Sequence, residues 1–155
     1  MCKHHDNVEK FAAGAVKLWK SVQGLSDAQL DAFPIPGTWS IRQIVVHTLD
    51  SDLVAGDRMK RVAAMDVPLL MNYDESAYVS KLYHPELSVR LACDLFEKHR
   101  EFTAAVLRPL PMAAFDRYGV HNLTGKRTLG DLVVTYIDHL EHHLRFIEKK
   151  RAMVS

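Results

Sequence analysis

Cysteine is scarce in this chain: Cys2 and Cys93 are the two among 155 residues, and no motif spacing relates them. One of them sits in a terminus expected to fray, so a disulfide framework is excluded and a reducing cytoplasm fits better. An excess of one charge is missing too, with 20 basic against 19 acidic residues and a formal net charge of +1. That balance removes the electrostatic case for nucleic acid or an anionic membrane. The basic runs His99-Arg100 and Lys149-Lys150-Arg151 are short. Both read as solvated faces, the second closing a helix where cations suit the dipole. No apolar run approaches the length of a membrane span, and the N-terminus lacks the positive-then-apolar layout of a signal peptide. Internal repeats, low-complexity tracts and convincing strand patterns are absent as well. A soluble, cytoplasmic, single domain over 1–155 is expected, with an ordinary 48% hydrophobic share to fill its core.

What the chain does have is helical periodicity and nine histidines. Phe11, Ala12, Ala15, Leu18, Trp19 and Val22 recur at three- and four-residue steps, predicting a first helix from His4 to Val22 that Gly24 ends. His4-His5-Asp6 falls in a terminus expected to be mobile and makes a poor metal site. Ser26-x-x-Gln29 carries a capping-box pattern, and Phe33-Pro34-Ile35-Pro36-Gly37 then breaks structure. Thr38 or Ser40 caps a second helix over roughly 39–64. The connection from Leu69 to Pro85, with one short helix after Asp74, is long enough to cross over something or cover a site. A third helix runs from about Glu86 to Arg108 with Val89, Ala92, Cys93, Phe96, Phe102, Thr103 and Val106 inward, and His99 on its buried side in a structural role. Phe115 to Lys126 reads as a polar link holding His121. Thr128-Leu129-Gly130-Asp131 caps a fourth helix with no Gly or Pro beyond Asp131. Four helices of about 20 residues, each about 30 Å long, make an all-α four-helix bundle. Links of such unequal length argue against a simple up-down order and for long crossover connections.

The chemistry gathers in Tyr136-Ile137-Asp138-His139-Leu140-Glu141-His142-His143. His139 and His143 are four apart and stand on one helical face, flanked by Leu132, Tyr136, Phe146 and Ile147. His142 turns towards the rim. Glu141 points away, and the spacing is not that of an H-E-x-x-H metalloprotease. His47 lies within the apolar stripe of the second helix, in line with Ile44, Ser51 and Val54. A His-rich surface helix and a satisfied core histidine are the plain alternatives. Taken together, His47, His139 and His143 offer three imidazoles from two helices, which leaves a fourth metal position open as catalytic zinc sites do. Trp39, Tyr73, Tyr78 and Tyr136 are candidate pocket walls. Arg58, three turns from His47, reads as a salt-bridge residue. Asp50 and Asp138 are the nearby carboxylates, neither assigned a role, and His121 is a candidate fourth ligand. No catalytic base is assigned. Leu69-Leu70-Met71 could form a partner surface or a pocket lid.

Pro36-Gly37-Thr38-Trp39-Ser40-Ile41-Arg42-Gln43-Ile44-Val45-Val46-His47 resembles the W-S-x-x-x-I-x-x-H segment of the bacterial DinB/YfiT-like family. Asp50-Ser51-Asp52 and Arg58 resemble its continuation, with Asp52 where a Glu is common. Gly125 to Leu129 and the later His139-x-x-x-His143 resemble its last helix. The likeness runs in order along nearly the whole chain. It implies a four-helix bundle of the DinB type, frequent homodimers, and one divalent metal per chain on His47, His139 and His143. Zinc or nickel comes first as that metal, with iron or manganese as alternatives. The resemblance also implies a small-molecule substrate and one of two chemistries. A metal-dependent hydrolase would activate water; a thiol S-transferase would ionise a low-molecular-weight thiol. A non-catalytic, metal-stabilised stress or binding protein is the competing expectation. DNA binding finds no basic patch or groove-reading motif.

Overall fold

The computed structural model describes residues 3–154; Cys2 lies outside them. The chain runs α1 (Lys3–Ala13), α2 (Lys17–Val22), α3 (Asp27–Asp31), α4 (Ile41–Ala64), β1 (Leu69–Leu70), α5 (Glu75–Leu82), α6 (Val89–Leu107), a 3-10 turn (Met112–Asp116), β2 (Tyr118–His121), β3 (Gly125–Thr128) and α7 (Leu129–Val154). Capping residues set most of these starts. Ser26 and Ser40 each form a reciprocal capping box, with Gln29 and Gln43. Asp74 and Ser88 accept the N–H groups of Ala77 and Leu91. Thr128 and Asp131 exchange side-chain-to-backbone bonds at the head of α7. Each satisfies N–H groups that the first helical turn leaves without partners.

The four long elements, α1 with α2, then α4, α6 and α7, form a four-helix bundle. α4 packs against α6 and α7, and α1 and α2 pack against the same two. The first and second long elements therefore face each other across the bundle, and their connection must cross an end of it. Three differences from expectation have physical causes. The first helix is broken at Gly14, where a Cβ would stand 2.5 Å from Arg100 Nη1 and 2.8 Å from Leu140 Cδ2. Arg100 instead reaches the Phe11 carbonyl at 3.2 Å, replacing a helical hydrogen bond. The link before α7 is no plain loop: β2 pairs antiparallel with β3 and parallel with β1. Strands of two to four residues carry too few positions to show alternation. The third difference is Phe102, expected inside but 64% exposed.

The apolar core falls into two halves. One gathers Phe11, Met59, Val62, Leu107, Phe115 and Leu132; the other gathers Leu18, Ile41, Val45, Phe96, Leu140 and Ile147. Between them runs a polar layer in which Arg100 donates two hydrogen bonds to Asp52, at 2.9 and 2.8 Å, and one to the Tyr136 carbonyl at 2.7 Å. Phe11 and Phe96 flank its guanidinium at 4.3 and 4.7 Å. Arg100 and Lys150 are each 1% exposed, so neither basic run is a solvated face. Both are buried because residues remote in the chain, Asp52 and Thr38, supply acceptors. His4 is likewise ordered, its ring stacked on Phe115 at 5.1 Å. His99 is half-buried and presses on Gly56, the structural place expected of it. Leu70 is buried while Leu69 and Met71 are exposed, the alternation of a short strand edge. No helix among the described residues is long and apolar enough to cross a membrane.

Candidate metal centre

His47 sits two turns into α4, after the Ser40 cap and on its inward stripe, and is 1% exposed. His139 and His143 come from successive turns of α7 and are half-buried. The three Nε2 atoms converge: His139 Nε2 lies 3.2 Å from that of His47 and 3.1 Å from that of His143. One ligand atom from each lies within 4.8 Å of the others. Trp39 packs against the His47 ring at 4.8 Å, and Tyr136 approaches His139 at 6.1 Å.

Burial first, then mutual repulsion, holds these imidazoles neutral. His47 and His139 are pushed down to about 4 and His143 to about 3. Neutral imidazoles keep the lone pairs that metals need. With Zn–N bonds near 2.0–2.1 Å, two tetrahedral ligand atoms lie about 3.3 Å apart. The two separations measured from His139 match, and with all three ligand atoms within 4.8 Å of one another the donor set fits one divalent metal. The buried Nδ1 of His47 has no hydrogen-bond partner among the described residues; its ring packs against Trp39, His139 and His143.

Among the described residues one carboxylate reaches the cluster, and it is not a residue expected from the sequence. Glu75, in the first turn of α5, places Oε2 3.6 Å from His47 Nε2. The connection holding it is tied down by Asp74 capping α5 and by Tyr73 hydrogen-bonding Ser51, one turn beyond His47. The length of that connection was its sequence signal; its route over the site was not readable. Asp50 instead accepts from Tyr83, and Asp138 is exposed. Tyr78 packs on Tyr73 at 5.0 Å, so these two rings brace the crossover. Arg58 makes no ion pair among the described residues; it donates to the Tyr136 hydroxyl and the Met71 carbonyl, because neutral acceptors are what its buried position offers. His121 lies outside the cluster, with Nδ1 accepting from the backbone of Leu123 and Thr124.

Comparison with known proteins places the chain in a family. The DinB superfamily model matches residues 11–147. The chain is 34% identical over 136 residues to the putative metal-dependent hydrolase YfiT of Bacillus subtilis, covering 84% of this chain and 74% of that one. It is 29% identical over 130 residues to the putative metal-dependent hydrolase OB0782 of Oceanobacillus iheyensis, covering 84% and 75%. The solved structure of YfiT, described as a probable metal-dependent hydrolase with an unusual four-helix bundle topology, superposes with a TM-score of 0.89. That match has 27% identity and covers 97% of this chain and 87% of that one. With the family model spanning most of its length, the chain belongs to the DinB superfamily.

Proposed function

We propose that this protein binds one divalent metal on His47, His139 and His143 and hydrolyses a small-molecule substrate there. Zinc or nickel is the preferred metal, with iron or manganese tolerated by the same ligands. The observation that carries the proposal is the pairing of three convergent neutral imidazoles with a single carboxylate at their edge. The metal, when bound, supplies Lewis acidity that brings the pKa of a water towards neutrality. Glu75 stands where it can accept the proton that such a water gives up, on the first turn of α5, which Asp74 caps. Trp39 shields His47 from bulk water. The metal-dependent hydrolase names of the relatives agree with this reading.

A low-molecular-weight thiol could use the same open side, which is the S-transferase alternative. A coordinated thiol is ionised without a protein base, so a poised carboxylate favours water. The non-catalytic alternative needs a filled fourth position, and His121, its candidate, is engaged elsewhere.

Elemental mass spectrometry on wild type and on the His47→Ala and His143→Ala variants tests the metal. About one metal per chain, lost in both variants, is the expected outcome; none in the wild type after reconstitution would end the proposal. The Glu75→Gln variant should keep its metal yet lose about 10²–10⁴-fold in ester or amide turnover. Unaltered turnover would remove Glu75 from the chemistry.

A further inference from the structure

Beside the histidine cluster lies a pocket of about 260 Å³, walled by Trp39, Ile44, Phe146, His143, Thr38 and Lys150. One wall is His143, so the pocket adjoins the candidate metal centre. The other end holds Lys150, 1% exposed. Its ammonium donates to Thr38 Oγ1 at 2.5 Å, and no carboxylate among the described residues pairs with it. The Thr38 hydroxyl is itself spent on the Ile35 carbonyl at 2.8 Å. An ammonium has three N–H donors, and a buried cation with one neutral partner is costly unless an anion joins it. Burial, with Lys149 adding to it, lowers its pKa from the ordinary lysine value, as expected of a cation short of partners.

His143 and Lys150 are seven residues apart on α7, two turns on nearly the same face, an axial separation of about 10.5 Å. Between them the walls are apolar and aromatic, with His142 and Phe146 packed edge-on at 4.9 Å at the rim. The volume lies just below that of drug-sized ligand sites.

We propose that this pocket is the substrate subsite, and that Lys150 recognises a small monoanion. The substrate is then a compact molecule with an apolar body, a terminal carboxylate at Lys150 and its scissile group about two helical turns away at the histidines. One unpaired ammonium calls for a single negative charge. The apolar walls disfavour a polyanion. The inference deepens the hydrolase reading at its reactive end, while the ammonium pocket stands on its own geometry.

The test compares 4-phenylbutyrate with its neutral amide by calorimetry on metal-loaded protein, for wild type, Lys150→Met and Thr38→Val. Wild type should bind the acid at least about tenfold tighter than the amide, and Lys150→Met should lose that preference at unchanged metal content. Thr38→Val, which removes the loop tether but keeps the cation, should retain it. Equal affinity for acid and amide, or a preference that survives Lys150→Met, overturns the proposal. Loss of preference in both variants also overturns it, because Lys150 would then act only by holding the loop. Where Lys150→Met does not fold, the wild-type ratio and the Thr38→Val ratio decide. Metal content, measured alongside, judges the hydrolase reading separately from the acid-to-amide ratio.

Discussion

At the scale of single residues, the polar layer commits a fully buried ion pair, Arg100 with Asp52, to the middle of the core. Burial pushes the Asp52 carboxyl up, against the pull of Arg100. The pair is thus an expensive arrangement that works only while both partners are present. Asp52→Asn should lose about 3–5 kcal/mol in denaturant unfolding. The double variant Asp52→Leu with Arg100→Met should recover most of that loss. A double variant as unstable as the single one would mean that shape, not charge, is what this layer needs. Residue-scale legibility divides along the same line. The three histidines could be read because they fall within apolar helical stripes and in segments that resemble the DinB family's. Arg100 and Lys150 could not, because a charged residue in a polar run looks solvated until an acceptor 48 or 112 residues away is brought to it. Glu75 escaped for a related reason: nothing local distinguishes a carboxylate in a first helical turn from one that overlooks a metal ligand.

At the scale of elements, α4 and α7 are the two that carry the candidate ligands, and each owes its start to a cap. Ser40 is 3% exposed and exchanges hydrogen bonds with Gln43, two turns before His47. Ser40→Ala should cost about 1 kcal/mol. Amide exchange should speed first in the segment from 40 to 46, with metal affinity falling in parallel. Faster exchange spread evenly along α4 would argue that the cap does not hold that end in place. Helices and caps were legible because each is written in a few adjacent residues. The Gly14 break was not, since it answers to Arg100 on another helix, and the three short strands were not, since the pairing of β1 with β2 spans α5, α6 and the 3-10 turn. The crossing of the links could be inferred from their unequal lengths, but the side they cross could not.

For the whole molecule, the buried imidazoles make stability depend on acidity. In the unfolded chain histidine titrates near 6.5. In the fold, burial holds His47 and His139 at about 4 and His143 at about 3, and lowers His99 as well. Between these values the unfolded state binds more protons, so stability is fully present above about pH 6.5 and falls as pH drops towards 4. The denaturant midpoint of metal-free protein should therefore decline from pH 7 to pH 5, and less steeply in a His47→Leu variant. A flat midpoint across that range would contradict the burial of these rings.

The candidate ligand atoms on α4 and α7 are separated by 92 residues of chain, counted from His47 to His139. An ion held between them closes that stretch into a ring that exists only in the folded protein. Folding and metal supply are then one thermodynamic system. Free metal at a hundred times its dissociation constant adds about 2.7 kcal/mol to the fold, and a thousand times adds about 4.1. A chelator reverses the gain without touching a covalent bond. The same protein would thus have one melting temperature in a metal-replete solution and a lower one in a starved solution, and the difference between them would measure the affinity of the site.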